Sequence, residues 1–267
     1  VWIVDDSYVL RVYQNLDRSR VAAEHRLLDA IDATHPPFAV PLALATRSGE
    51  SFVDTTDGPA ALYPLLPGRP GTTSDLELIG AALGDLMATL GRLPHNLAPI
   101  DWRVPLSETH PAVPDVAALV DELAGVAPGA PGLDEFASTW AELDAEYLAL
   151  DLPVQICHLD FAPGNALIDD GRVSAVLDFE VAGLDYRVSD FVAGLVQSTD
   201  TPEEGESFTQ AFRTRLDLTA EEWAVVPSLK RLRRVATVVW RAGRWRQGHD
   251  PLDEVLLRLA ALQNPYI

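Results

Sequence analysis

The sequence predicts an α+β fold in two lobes: a small N-terminal β-sheet lobe with one helix, then a larger and mainly helical C-terminal lobe. Three observations predict it. Strand-type runs rich in Val, Ile, Tyr and Leu crowd residues 1–66; the cluster Pro67-Gly68-Arg69-Pro70-Gly71 then punctuates the chain; and helical periodicity dominates residues 67–267 apart from one hairpin.

Each element can be justified in order. Val1 to Val4 and Tyr8 to Tyr13 read as strands of a hairpin turning at Asp5-Asp6-Ser7. A helix follows from about Asp17 to Ala33, with Val21, Leu28 and Ile31 on one side, ended by His35-Pro36-Pro37. Three further strand-like pieces are expected at Pro41 to Ala45, Ser51 to Thr55 and Ala60 to Leu66. Past the Pro-Gly cluster, Ser74 to Leu93 is a helix, with Ser74 and Glu77 as a capping box and Leu76, Ile79, Leu83, Leu86, Leu90 and Leu93 in step. Residues 94–131 are proline-rich and irregular, with one short helix near Val116 to Leu123. Asp134 to Leu150 is helical, presenting Phe136, Trp140, Leu143 and Tyr147 on one face. Val154 to Cys157 is a strand, and from Tyr186 onward the pattern is mostly helical.

Composition excludes several classes of function. A chain of 267 residues, 48% hydrophobic and 22% charged, is long and apolar enough to bury a sizeable core. Its net charge of -20 argues against a nucleic-acid partner, because phosphate backbones require a basic surface. No apolar run approaches the roughly 18 residues of a membrane span, and the first residues carry no signal-peptide pattern. A cytoplasmic location is the expectation. The single Cys157 excludes an internal disulfide and a cysteine-based zinc site, and reads as a small core residue. The oligomeric state is not legible. Lys230 is the sole lysine beside nineteen arginines, so a site that normally wants a lysine must use arginine or do without. The chain opens inside a strand and its one methionine is Met87, from which the natural start is expected upstream of Val1.

The chemistry-bearing stretch runs from His158 to Glu180. Asn165 to Ile168 and Arg172 to Leu177 are apolar runs joined across Asp169-Asp170-Gly171, and Asp-Gly is a strong hairpin signal. A hairpin brings its outer ends together, which places Asn165 beside Asp178. Asp160 precedes Asn165 on a loop tightened by Pro163 and Gly164. Asp160, Asn165, Asp178 and Glu180 thus gather carboxylates and an amide oxygen, a set that repels itself unless a cation or proton intervenes. Hard oxygen donors without His or Cys suit Mg²⁺ shared with substrate phosphates. An extra aspartate alongside could take a proton from an attacking hydroxyl.

This arrangement resembles the protein-kinase-like phosphotransferases, in the branch of aminoglycoside phosphotransferases, type II homoserine kinases and choline kinases. The motifs are H-x-D-x-x-x-x-N at His158 to Asn165 and the triplet Asp178-Phe179-Glu180. Weaker matches extend it. Arg11 looks like the phosphate-binding cation, Glu24 like its carboxylate partner, Tyr63 to Gly68 (with Leu65) like the interlobe hinge that contacts adenine, and Asp190 like the aspartate that pins the catalytic loop. The resemblance implies a two-lobed kinase fold, with residues 1–66 as the nucleotide lobe and 67–267 as the catalytic and acceptor lobe. It implies transfer of the ATP γ-phosphoryl group to a small-molecule hydroxyl. Asp160 would be the base and His158 a brace. Asn165 and Asp178 would hold Mg²⁺, with Glu180 as an outer contact. Arg11, steadied by Glu24, would grip the phosphates. The family's first strand and glycine-rich loop would precede Val1, so no phosphate-loop residue is assigned.

Alternatives stay open at this level. A fixed set of three residues can arise by chance, and Arg11 with Glu24 could be an ordinary strand–helix ion pair. The same scaffold could be a catalytically silent nucleotide-binding regulator, or could transfer AMP. The expected acceptor is a small polar, amine-bearing molecule, either an aminoglycoside-type antibiotic or an amino alcohol such as homoserine or choline. The basic segment Lys230 to Arg246, with Trp240 and Trp245, reads as a helix salt-bridged to acidic neighbours with its Val and Trp face packed inward.

Overall fold

Val, Tyr and Ile runs too short to stand alone form strands here because each finds a partner. In the computed structural model, which describes residues 1–14 and 16–263, strands β1 (Trp2–Val4) and β2 (Tyr8–Val12) pair antiparallel. Asp5 and Asp6 between them take φ of 50° and 49°, a left-handed turn that aspartate tolerates better than most residues. Helix α1 (Arg18–Asp32) starts at Asp17, whose carboxylate accepts the Arg20 N–H at 2.9 Å. Val21, Glu24, Leu28 and Ile31 share one side of it and all are buried. Glu24 therefore lies on the apolar stripe, one turn from each flanking aliphatic. Strands β3 (Val53–Thr55) and β4 (Gly58–Pro64) complete a four-stranded antiparallel sheet in the order β1-β2-β4-β3. Gly58 makes the turn between them: its φ is +119°, and a Cβ there would lie 2.2 Å from the Tyr13 carbonyl oxygen.

Strand β5 (Arg69–Pro70) leads through a 3-10 turn into helix α2 (Leu76–Leu90). Helices α3 (Val116–Val126) and α4 (Leu133–Leu148) follow, then strands β6 (Val154–Cys157), β7 (Ala166–Asp169), β8 (Arg172–Val176) and β9 (Gly183–Tyr186). Four helices close the chain: α5 (Arg187–Ser198), α6 (Pro202–Arg213), α7 (Ala220–Arg246) and α8 (Leu252–Ala261). Strands β5, β7 and β8 form one small sheet, and β6 with β9 another.

The chain divides into two compact units. The first comprises Val1–Asp101, Val154–Ser198 and Glu203–Asp217. It holds all the strands, together with α1, α2, α5 and α6 from Glu203 on, around fully buried Leu83, Phe161, Phe179, Phe191, Phe208 and Phe212. The second comprises Trp102–Pro153, Thr199–Pro202 and the chain from Leu218. Its helices α3, α4, α7 and α8 enclose Leu119, Phe136, Val235, Val238, Val239 and Leu259.

Several expectations need correction. Pro41 to Ala45 is no strand. Pro41 has no N–H to give a ladder, and the stretch is extended chain held by single bonds, such as Leu44 N–H to the Leu62 oxygen at 2.7 Å. The cap before α2 is Thr72 with Asp75, not Ser74 with Glu77. Asp75 is also gripped by both terminal nitrogens of Arg69 at 2.8 Å, which fixes it as the acidic member. The helix then ends at Leu90 rather than Leu93, with Gly91 as its cap. Strands β5 and β9 were not anticipated. Helix α7 is salt-bridged as expected: Arg231 reaches Glu135, Arg246 reaches Glu122, and Arg241 with Arg244 holds Asp250. Trp240, however, is 39% exposed, resting edge-on against His110 instead of turning inward.

Candidate active site

Strand β6 ends at the buried Cys157, and the chain leaves it through His158-Leu159-Asp160 in a conformation that needs support. Leu159 has φ of +63°, an αL conformation costing a branched side chain roughly 1–2 kcal/mol. Asp190, in the first turn of α5 and fully buried, supplies the support: its two carboxylate oxygens accept the N–H groups of His158 at 3.1 Å and Leu159 at 2.8 Å. The expected pinning role of Asp190 is therefore realised.

His158 is a brace, and its tautomer follows from its neighbours. Nδ1 accepts the Asp160 N–H at 3.2 Å, so the ring proton sits on Nε2 and is donated to the Leu177 carbonyl at 2.9 Å. Burial between Phe161 and Phe179 lowers its pKa to about 4, keeping the ring neutral. One side chain thus ties the Asp160 loop to the far end of the β7–β8 hairpin.

The hairpin does what its turn signal requires. Ala166 pairs with Val176, and the Asn165 carbonyl accepts the Leu177 N–H at 2.8 Å. Asn165 and Asp178 consequently emerge from the same end. The Asn165 amide nitrogen donates to the Asp160 main-chain oxygen at 2.8 Å and lies 3.4 Å from its Oδ2. That leaves the amide oxygen as the atom to offer a cation. Asp178, like Leu159, stands at positive φ, +64°, and sparsely populated backbone of this kind collects at functional turns.

From the sheet, β2 contributes Arg11. Its Nη2 donates to Asp178 Oδ1 at 3.0 Å and to Glu180 Oε2 at 2.5 Å, while its guanidinium lies 4.6 Å over the Tyr13 ring. Burial works to lower its pKa, but Asp178, Tyr13, Glu24 and Glu180 outweigh that and raise it, so Arg11 stays charged. The anticipated partnership with Glu24 is only a 3.9 Å approach. Glu24 is 3% exposed and its Oε2 has no hydrogen-bond partner among the described residues. Burial, opposed by Arg11 and reinforced by Asp178 and Glu180, pushes the Glu24 carboxyl up to about 7. Arg11 has turned to the acidic triplet, leaving Glu24 underserved.

Tyr63 and Leu65 occupy different settings. The Tyr63 hydroxyl is buried 2.5 Å from that of Tyr13 and 2.8 Å from His25 Nε2, and His25 Nδ1 reaches Ser51 at 2.7 Å. Burial moves the Tyr63 phenol up to about 12. Its side chain serves this network under the sheet, and its main chain is the ladder partner of Val9. The Leu65 side chain is exposed, and its N–H is already given to the Ser7 carbonyl at 2.8 Å. Sequence reasoning missed the Tyr13–His25–Tyr63 network and Arg20. The one local signal was His25 following Glu24 on α1; Tyr13, just past β2, and Tyr63, on β4, meet it through a strand register that only the structure shows.

Among the described residues no three His, Cys, Asp or Glu side chains form a metal cage of their own. The donors at the hairpin end are instead one amide oxygen and two carboxylates, at present neutralised by a guanidinium. Such a set fits a hard divalent cation that draws its other ligands from phosphates and water.

Fold and site together define a kinase-type phosphotransferase: an aspartate on a pinned loop beside acidic donors at a hairpin end, facing a cation carried by a separate sheet. More particularly, the chain belongs to the phosphotransferase enzyme family, whose profile matches residues 1–229, and it is a small-molecule kinase. It is 26% identical over 234 residues to a homoserine kinase of Gluconobacter oxydans, covering 82% of this chain and 69% of that one. A homoserine kinase of Xanthobacter autotrophicus is 25% identical over 254 residues, covering 90% and 74%. Solved structures with the same fold include a microcompartment-associated aminopropanol kinase (TM-score 0.67, 19% identity, 97% of this chain and 83% of that one). An amicoumacin kinase in complex with AMP-PNP, Ca²⁺ and Ami has a TM-score of 0.70 at 17% identity, covering 96% and 81%. Aminoglycoside 2'-phosphotransferase-IIIa in its GDP complex has 0.67 at 15%, covering 99% and 87%. Among the described residues no helix is long and apolar enough to cross a membrane.

Proposed function

We propose that this kinase transfers the γ-phosphoryl group of ATP to the hydroxyl of a small amino alcohol, with homoserine the first acceptor to test. The observation that carries the reading is the convergence of Arg11 from β2 with Asp178 and Glu180 at the hairpin end that also presents Asn165 and Asp160. The choice of acceptor is supported by three curated relatives, 25–27% identical, each a homoserine kinase.

In this reading residues 1–66 form the nucleotide lobe, Tyr63 and Leu65 flanking the base. Arg11 leaves the acidic pair to grip the phosphates, where its fixed fork of donors suits anionic oxygens. Asn165 Oδ1, Asp178 and Glu180 would hold Mg²⁺, which supplies charge neutralisation for the phosphates when bound. Asp160, kept in place by Asn165 and by its own N–H to His158, accepts the proton of the acceptor hydroxyl. The hydroxyl oxygen bonds the γ-phosphorus as the bond to the β–γ bridging oxygen breaks, and ADP departs.

The test is ATP turnover with homoserine, choline, aminopropanol and an aminoglycoside, with products weighed by mass spectrometry. A gain of one phosphoryl group on homoserine supports the reading, and a gain of AMP overturns it. Binding of MgATP with no transfer to any acceptor favours a silent regulator.

A further inference from the structure

Arg20 stands one helical turn before Glu24 on α1, and no role has fallen to it so far. Its Nη2 donates to the main-chain oxygen of Glu180 at 3.1 Å, a bond joining positions 160 residues apart. Its Nη1 is buried with no hydrogen-bond partner among the described residues. Burial lowers its pKa, with Glu24 and Asp17 acting in the opposite sense. A half-buried guanidinium with an idle donor is an expensive way to fill space, and an aliphatic side chain would pack there at lower cost. Packing does not account for it.

The bond to Glu180 does. Arg11 takes the Glu180 side chain at Oε2 while Arg20 takes its carbonyl, so two guanidinium groups bracket one residue. Two positions earlier Asp178 stands in left-handed backbone, which persists only when its surroundings over-determine it. The Arg20 bond fixes the carbonyl at the end of that turn, and a long, always-charged donor is the side chain able to reach it from a helix.

We propose that Arg20 is a positioning residue for phosphoryl transfer: it tethers the start of α1 to the Asp178-Phe179-Glu180 turn and so holds the acidic pair in register with Arg11. This rests on the reading that the triplet serves a metal–nucleotide complex. Arg20 acts through Glu180 and need not touch the substrate.

Calorimetric titration of the purified chain with ATP, in Mg²⁺ and in EDTA, tests this without any acceptor. The quantity read is the gain in ATP affinity that Mg²⁺ produces. Arg20→Met, which keeps the length and removes every donor, is expected to cut that gain by about tenfold, as for loss of one charge-assisted hydrogen bond. The melting temperature of the free protein should shift by no more than about 4 °C. Arg20→Lys, with one donor able to reach the same carbonyl, should restore part of the gain. A gain in Arg20→Met within twofold of the parent, while Asp178→Asn loses it, overturns the role of Arg20 and leaves the site reading intact. Equal loss in the Lys and Met variants, matched by equal melting-temperature drops, makes Arg20 merely structural and also overturns it. An undiminished gain in Asp178→Asn would remove the underlying reading instead.

Discussion

Two buried or nearly buried acids in this molecule meet opposite fates. Asp250, just past α7 in the helical unit, is held bidentately by Arg244 at 2.8 and 3.0 Å and again by Arg241 at 2.9 Å. The hydrogen bonds from Arg244, then those from Arg241, bring its pKa down to about 2. Glu24, in the sheet-bearing unit, gets one arginine at 3.9 Å and has an oxygen without a partner, and its carboxyl is pushed up to about 7. A completed ion cluster fastens a fold; the incomplete one lies beside Arg11, Asp178 and Glu180, where the proposed reaction has Arg11 change partners.

The sharpest test of that contrast is Asp160→Asn. It should lower kcat about 10²–10⁴-fold, the worth of a positioned general base, while the melting temperature stays that of the parent. Retained turnover would mean the strained region is not where chemistry occurs. Glu24 makes a signed prediction. Its folded pKa is raised above the ordinary glutamate value of 4.5, so the folded state holds its proton over a window where the unfolded chain has released it. Its contribution is fully present below about pH 4.5 and is lost as pH rises through about 7, a loss of up to about 3 kcal/mol. Glu24→Gln should flatten the urea-denaturation stability profile across that window; an unchanged profile would place Glu24 with Asp250. Asp250→Asn should cost about 1–3 kcal/mol of stability by the same assay at pH 7 and leave ATP turnover untouched. Its folded pKa is depressed, so its contribution is present above about pH 4 and disappears as pH falls through about 2. Smallest is Tyr13→Phe, which keeps the ring under Arg11 and removes one hydroxyl from the Tyr63–His25 network. About 1 kcal/mol of stability should go, with the nucleotide KM within threefold of the parent.

How far the sequence reached depended on the range of the determining contact. The Asp169-Asp170-Gly171 turn is a local signal, and once a hairpin is granted, the meeting of Asn165 with Asp178 is arithmetic. Asp190 and His158 also fell where the motif placed them, because pinning a loop leaves a fixed spacing behind. Arg11 was harder. Its guanidinium has several donors and three acids within reach, and the choice among them is decided by where β2 stands relative to the hairpin, more than 160 residues away in sequence. The Tyr63 phenol, expected at a hinge, turned under the sheet because the register Val9↔Tyr63 sets its face, and register is not written in a Pro-Gly turn. Strand β5 is two residues long and includes Pro70, so a reading based on propensity registered it as punctuation. Arg20 carries no pattern at all, since its target is a main-chain oxygen.

Placing arginine on β2 also determines which reagents would mark the proposed nucleotide site. The protein's one amine-bearing side chain, Lys230, lies on α7 in the other unit. Acylating or aldehyde-bearing nucleotide probes that capture an ammonium beside bound phosphates find none on β2. Dicarbonyl reagents, which condense with guanidines, have a target there, and shielding of it by ATP is expected if the proposed role of Arg11 holds.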